Sequence, residues 1–461
     1  MGILNQLQLH RRFRQGVQHC TFDPEGPGVV RIHLVPPRFR LFSDTGWIVI
    51  LNGYYLLPLG SAWALLLSNF MEQVRRFDGK PIGPEDEGKI EEDTLKATQK
   101  AFPAVSKAEM KEDLRSMVQV LFAVARGEDP GIALQKLSIR AYADNMTAPH
   151  RMDLMVSAMT DSRGCWQCNQ KCIFCYAAGQ ELSAAKELDT QQWKQIIDKL
   201  EQARVPMVTF TGGEPTLRKD IVQLVCHAKR MVTRLNTNGV ALTPRLCREL
   251  KEAGLDSLQV TLYSHDPDIH NALVGSAHHA DTIQGIRNAV QAGLDISVNT
   301  PLCQKNADYI STLRLIYDLG VRFVTTSGLI CTGMAGINHE DYDLSQEALL
   351  QAVRDAKAFC NDHGMEMDFT SPGLLPADAL ESLGMQVPMC GACLSNMAIA
   401  PDGSVVPCQS WLGSGASLGN LLTDPFRKIW KEPLCQKLRS MGEEEALSCP
   451  FRSQKGGAGN D

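Results

Sequence analysis

Four cysteines crowd the run Cys165-Trp-Gln-Cys168-Asn-Gln-Lys-Cys172-Ile-Phe-Cys175-Tyr, and five more lie between Cys390 and Cys449. Thiolate is the ligand that iron–sulfur clusters require, and a C-x3-C-x2-C loop lets three thiolates reach three corners of a cubane. A cubane has a fourth iron, so one corner keeps an open position for a substrate or cofactor. The rival is zinc, gripped by the pairs Cys165-x2-Cys168 and Cys172-x2-Cys175. Structural zinc sites separate their ligand pairs by a longer excursion, whereas only three residues intervene here. Cys165 then falls out as a bystander or redox-sensitive thiol. All told there are fifteen cysteines, an odd number. The first apolar residues are interrupted by His10, Arg11, Arg12 and Arg14, which is unlike a secretory signal. Reduced thiols or metal ligands, and a cytoplasmic location, are therefore expected over a disulfide framework.

Something must carry these cysteines. In the middle of the 461 residues, strand patterns at 152–159, 206–211, 233–236, 257–263, 295–300 and 323–328 alternate with helical patterns at 190–203, 219–230, 244–253, 282–292 and 308–319. So regular a strand–helix repeat implies a parallel sheet with right-handed crossovers. The expected fold class is α/β: a partial (β/α)6 barrel of the TIM type over 151–340, with chemistry at the carboxyl ends of its strands. An N-terminal α+β domain over 1–150 precedes it, and a C-terminal cysteine-rich β-hairpin/helix extension over 341–461 follows, ending in a Gly-rich tail expected to be disordered. The chemistry-bearing motifs fall at the strand ends: Thr211-Gly212-Gly213-Glu214-Pro215, Asn236-Thr237-Asn238-Gly239, and Thr261-Leu-Tyr263-Ser264.

With Phe174 as the aromatic of C-x3-C-x-aromatic-C, the loop resembles the signature of the radical S-adenosylmethionine (SAM) superfamily. The resemblance implies a 4Fe–4S cluster on Cys168, Cys172 and Cys175, whose open iron is chelated by SAM. It implies reductive cleavage of SAM to a 5′-deoxyadenosyl radical that abstracts a substrate hydrogen atom. Phe174 would pack beside the adenine, and Gly212, Gly213 and Glu214 resemble the GGE motif that holds the SAM amino group. Thr261 stands where relatives carry a serine, which leaves a hydroxyl for the ribose, while Tyr263 and Ser264 depart from the pattern. Asn299 is placed for a ribose or carboxylate contact, and Ile330 beside adenine. For Asn299, satisfaction by backbone is the competing reading. The TNG-like turn and the element His270-x4-Gly275 read as architecture, and His278 and His279 as exposed helix-start residues.

Beyond the barrel, Cys390-x2-Cys393, Asp402-Gly403 and Cys408 resemble the SPASM and twitch extensions of radical SAM enzymes, in which a β-hairpin carries cysteines of an auxiliary 4Fe–4S cluster. Asp424–Trp430 resembles the helix that follows. Only Cys449 remains of the further cysteine run, with Arg452 at the next position, so one auxiliary cluster is implied, on Cys390, Cys393, Cys408 and Cys449. Cys435, on the expected helix, is the alternative to Cys449. A structural zinc on these thiolates is the rival.

Such extensions imply a peptide substrate. Residues 37–70, read as strand, Asn52-Gly53 hairpin and apolar helix, resemble the start of a recognition element for a leader peptide; an N-terminal packing domain is the plainer alternative. The charge-free stretch 45–71 is long enough to span a bilayer. Asn52, Gly53, Pro58 and Gly60 break it, so it reads as strand 47–51, turn, strand 54–57 and a helix from Ser61. A net charge of −6 gives no general attraction to nucleic acid or anionic lipid, and neither is an expected partner. An electron donor such as flavodoxin or ferredoxin is expected. Two other readings stay open: the same radical core acting on a small molecule or cofactor precursor, and a cysteine-rich zinc-binding interaction protein.

Overall fold

The computed structural model describes residues 18–22, 30–36, 46–51, 55–77, 82–125, 128, 130–131, 138–143, 146–161 and 163–451. It divides into two units, Met1–His150 with Arg230–Val232, and Arg151–Lys229 with Thr233–Asp461. The expected strand at 38–42, the Asn52-Gly53 turn, Arg452 and the tail 456–460 lie outside the described residues.

In the first unit, β1 (Gln18–Phe22), β2 (Val30–Val35), β3 (Trp47–Leu51) and β4 (Tyr55–Leu59) form an antiparallel sheet in that order. β2 and β3 are rich in β-branched residues and buried along their whole length, as a central strand requires. The helices α1 (Ser61–Val74), α2 (Pro84–Gln99) and α3 (Lys107–Ala125) follow. Leu65 and Met71 of α1, Leu95 of α2 and Leu114 and Leu121 of α3 join Ile32, Leu34 and Val49 in one core. α2 opens with Pro84 at its first turn and the acids Glu85, Asp86 and Glu87, which suit the positive end of the helix dipole. The charge-free stretch is thus two strands and a helix, and no described helix is long and apolar enough to cross a membrane. β1 and β2 were not foreseen.

The second unit is built on β5 (Arg151–Ser157), α4 (Thr190–Ala203), β6 (Met207–Gly212), α5 (Ile221–His227), β7 (Val232–Thr237), α6 (Pro244–Glu252), β8 (Ser257–Thr261), α7 (Pro267–Val274), α8 (His279–Gln291), β9 (Ile296–Pro301), α9 (Tyr309–Asp318) and β10 (Phe323–Ser327). The six expected barrel strands are all present, with ends shifted by a residue or two. α4 shows why the pattern was readable: Asp189 caps it, and Trp193, Ile196, Ile197 and Leu200 bury one face at helical spacing.

Four elements around the barrel go beyond expectation. α7 fills the stretch after β8, and α10 (Ala335–Asn338) and α11 (Gln346–Asp362) lead to β11 (Glu366–Phe369), which pairs parallel with β10 as a seventh strand. β11 is only four residues long and carries Glu366 and Asp368, so it gives no apolar run. At the opposite edge β12 (Asn396–Ile399) pairs parallel with β5, and β13 (Ser404–Val406) returns antiparallel through the Asp402-Gly403 turn. Asp402 accepts the Ser404 N–H at 2.9 Å there. β14 (Gly419–Asn420), α12 (Phe426–Trp430) and α13 (Pro433–Arg439) complete the extension. One sheet therefore runs β11-β10-β9-β8-β7-β6-β5-β12-β13-β14.

Two helical glycines make a test of this packing. Gly88 in α2 is exposed, and a Cβ there meets nothing within 4 Å. Gly88→Ala should therefore stabilise the protein by about 0.5–1 kcal/mol. A Cβ on Gly285 in α8 would collide with the Gly239 carbonyl, whose carbon lies 3.0 Å away. Gly285→Ala should lower the melting temperature where Gly88→Ala raises it, as followed by circular dichroism.

Candidate functional site

The loop after β5 carries the cysteine motif to the carboxyl end of the sheet. Backbone from two other segments holds it there. Lys171 N–H and Ile173 N–H donate to the Val274 and Leu273 carbonyls at the end of α7, at 2.8 and 3.0 Å. From the segment after β10, Met334 N–H donates to the Cys175 carbonyl at 3.0 Å and Asn338 Nδ2 to the Ile173 carbonyl at 2.8 Å. Gly333 sits at φ 59 with its would-be Cβ 2.6 Å from the Cys175 carbonyl oxygen, so glycine alone fits the close approach. Phe174 is buried and meets Tyr342 edge-on, with ring centroids 5.2 Å apart. Cys165, by contrast, is exposed.

The Gly-Gly-Glu turn at the end of β6 packs directly on this loop. Gly212 has φ 137, and its would-be Cβ lies 2.8 Å from the Ser157 nitrogen. Gly213 N–H donates to the Ser157 carbonyl at 2.9 Å, and Cys168 Sγ approaches the Gly213 carbonyl to 3.5 Å. Glu214 is only 2 % exposed. Its carboxylate accepts from Asn238 N–H at 2.8 Å, Thr216 N–H at 3.0 Å and Thr237 Oγ1 at 2.6 Å. A solvated loop carboxylate is therefore excluded. Asn238 also reaches the cysteine loop, donating from Nδ2 to Asn169 Oδ1 at 2.6 Å. The TNG-like turn thus does more than shape the backbone, since it joins the ends of β6 and β7 to the cysteines.

The electrostatics of the site are one-sided. Burial, reinforced by Glu214 and Cys175, pushes the Cys168 thiol up to about 12. Burial first, then Cys175 and Cys168, raises Cys172, and burial raises Cys175. Burial also raises Glu214 against the pull of its hydrogen bonds. Three thiols and a carboxyl held together out of water favour a positively charged occupant. The cationic core of a cluster and the sulfonium and ammonium of SAM meet that need. Zinc fits less well. At about 2.3 Å per bond, tetrahedral zinc draws thiolate sulfurs to roughly 4 Å of one another. Among the described residues, Cys331, His339 and Asp343 form the one group of three His, Cys, Asp or Glu ligand atoms lying mutually within 4.8 Å. Neither cysteine set is that compact. A cubane binds each thiolate on a different iron and so accepts the wider spacing.

Farther along the sheet, Thr261 of β8 pairs in register with Asn299 of β9, which pairs with Thr325 of β10. Thr325 Oγ1 donates to Asn299 Oδ1 at 2.8 Å and accepts from Gln259 Nε2 at 3.0 Å, so a side chain and not backbone satisfies Asn299 Oδ1. Ile330, beyond β10, is 38 % exposed. His270 is fully buried, accepts Tyr263 N–H on Nδ1 at 3.3 Å, and is pushed down to about 3 by burial and by His279. His278 and His279 do stand at the start of α8, but they are half-buried, not exposed, and His279 packs edge-on against His270 at 5.2 Å. Asn169, Asn238, Thr325 and Tyr342 were missed. For Asn238, the signal was its position within a strand-end turn.

In the extension the cysteines pair off. Cys390 hydrogen-bonds Cys449, Cys393 hydrogen-bonds Cys435, and both Cys390 and Cys393 feel Cys408. Cys449 and Cys435 thus both lie beside other thiols of the extension, one at Cys390 and one at Cys393. Burial, with a smaller push from Cys449, raises Cys408 to about 12. Cys435, buried on α13, is lowered by the Cys393 hydrogen bond and by Arg439, whose Nη1 lies 3.3 Å from its sulfur. Cys393 holds a left-handed φ of 61 to take its place.

Residues 167–316 match the family model of the radical SAM superfamily, and residues 390–450 that of SPASM, an iron–sulfur cluster-binding domain. The chain is 26 % identical over 274 residues to a PqqA peptide cyclase of Streptomyces rochei, covering 57 % of this chain and 72 % of that one. It is 27 % identical over 291 residues to an Fe-coproporphyrin III synthase of Methanosarcina barkeri (strain Fusaro / DSM 804), covering 58 % and 71 %. Its fold resembles that of Streptococcus suis SuiB bound to the precursor peptide SuiA, with a TM-score of 0.59 at 15 % identity over 86 % of this chain and 88 % of that one. It also resembles anSMEcpe with bound AdoMet, at a TM-score of 0.50 and 16 % identity over 65 % and 86 %.

The loop predicts a split among its cysteines. Cys172→Ala should remove about four irons per chain, the content of one cubane. Cys165→Ala should leave iron unchanged, since that thiol is exposed. Iron analysis after anaerobic purification measures both.

Proposed function

We propose that this chain, a radical SAM enzyme with a SPASM iron–sulfur domain, abstracts a hydrogen atom from a peptide and leads it to a crosslink or similar modification. The observation that carries the reading is the shared strand: β5 runs into the cysteine loop at its carboxyl end and pairs along its edge with β12, which leads to the thiols of the extension. Two sites for electron chemistry are thereby held by one rigid element. The PqqA peptide cyclase among the relatives, and the precursor peptide bound by SuiB, support a peptide as substrate.

Cys168, Cys172 and Cys175 would hold the first 4Fe–4S cluster by three irons, leaving the fourth for SAM. When bound, the two together supply a carbon radical able to take hydrogen from an unactivated carbon. Gly212 and Gly213 would offer backbone to the SAM amino group, and Glu214 its carboxylate. Thr261 and Asn299 would face the ribose, with Phe174 and Ile330 beside the adenine. Cys390, Cys393, Cys408 and Cys449 would hold a single auxiliary cluster, whose full ligation suits electron transfer. The sheet of the first unit has β1 and β4 at its edges, a form suited to a leader peptide added as a further strand. A flavodoxin or ferredoxin in the cytoplasm would supply electrons.

The Fe-coproporphyrin III synthase among the relatives favours a second reading, a small cofactor precursor as substrate. Incubation with the peptide encoded by an adjoining short reading frame separates them: peptide modification supports the first reading, and turnover of a porphyrin without it supports the second. Glu214→Gln should keep its iron yet bind SAM about ten- to a hundredfold more weakly, as loss of a charge-assisted contact requires. Cys408→Ser should still release 5′-deoxyadenosine but form no modified peptide. Full product from the Cys408→Ser enzyme would sink the role given to the auxiliary cluster.

A further inference from the structure

Between β10 and α11, a third set of metal-type donors converges. Cys331, His339 and Asp343 place one ligand atom each within 4.8 Å of the others, and all three are half-buried. His339 Nδ1 lies 2.8 Å from Asp343 Oδ2, one helical turn apart. On its own that pair is an ordinary surface ion pair of little energetic consequence. It does not account for a thiol from the start of the same segment closing on both groups. We propose that Cys331, His339 and Asp343 form a binding site for a divalent transition-metal ion of the zinc class.

The donor set argues for that class. Thiolate, imidazole and carboxylate are all zinc ligands, and three of them leave one position for water, the arrangement of an open zinc site. Thiolate and carboxylate together also balance the double positive charge of the ion. Magnesium and calcium are disfavoured by the sulfur and the nitrogen. A bound ion displaces the Cys331 thiol proton, so uptake strengthens as pH rises.

The framework is already ordered. Gln304 Nε2 donates to the Asp343 carbonyl at 2.9 Å, and Gln304 N–H to the Tyr342 carbonyl at 2.8 Å. Within the same segment, Met334 and Asn338 bond the cysteine loop and Tyr342 packs on Phe174. An ion spanning residues 331 to 343 therefore staples the strap that seats the loop.

The test uses the untagged full-length holoenzyme with its clusters reconstituted, equilibrated with zinc chloride alone and then desalted. About one zinc per chain is expected, with an X-ray absorption shell of one sulfur near 2.3 Å and otherwise nitrogen and oxygen near 2.0–2.1 Å. Cys331→Ser and His339→Ala should each weaken zinc binding by more than the about tenfold that loss of an outer-shell partner costs, while iron content stays at the wild-type value. Asp343→Asn, which keeps the shape of the carboxylate, should weaken it in the same direction and guards against a folding defect in the others. A shell of three or four sulfurs, no zinc retained, or unchanged affinity in all three variants would each overturn the proposal.

Discussion

The second unit is organised around buried groups that would carry uncompensated negative charge if ionised. Three buried thiols lie beside a carboxylate that is itself nearly inaccessible, and burial opposes the ionisation of each. A fold that gathers such groups at one point must either keep them protonated or supply cations. The chain's answer to Glu214 is a cage of neutral donors, Asn238 N–H, Thr216 N–H and Thr237 Oγ1, which stabilise the ionised form without cancelling its charge. That leaves the charge available to whatever binds. The same logic explains why these donors come from turns at strand ends, where backbone N–H groups are not consumed by the sheet.

Holding the thiols in place needs contributions from distant sequence. The loop after β5 has little regular structure of its own, yet it is bonded by α7, by the segment after β10 and by Asn238 after β7. Each partner follows a different parallel strand, and all face the same way because parallel strands send their carboxyl ends to one side of the sheet. This is why a repeated strand–helix unit suits the chemistry: every unit delivers one loop to one place. Gly212 and Gly333, two of the glycines with close backbone approach, sit where such loops meet.

The sequence displayed this architecture unevenly. The barrel strands were legible because each is an apolar run bounded by an amphipathic helix, as with Phe210 in β6 and the Trp193 face of α4. β11 was hidden because Glu366 and Asp368 interrupt the apolar pattern of an edge strand. The cysteine loop stood out by its spacing together with Phe174, since three thiolates so close in sequence can reach one cubane. Asn169 was not, because its contact with Asn238 joins positions 69 residues apart and nothing local marks it. Cys435 illustrates the same limit. Its place on a helix argued for a core thiol, but only the fold shows that the buried face of α13 is turned toward Cys393.

The extension also solves a problem that the barrel sheet would otherwise face. An open parallel sheet exposes the backbone of its first strand, and an unpaired edge is prone to association. Here β12 covers β5, with Asn396 to Ile399 registered against Arg151 to Leu154, and β13 and β14 carry the sheet onward to a two-residue strand. Covering that edge with the strand that leads to the extension's thiols ties closure of the sheet to the placement of that cluster of sulfur side chains. Arg151, whose guanidinium pairs with Asp153 at 2.8 Å, sits on the strand where the two meet. A cysteine-rich segment tethered by a flexible linker would leave the distance between the two sulfur sites undefined; pairing in the sheet fixes it.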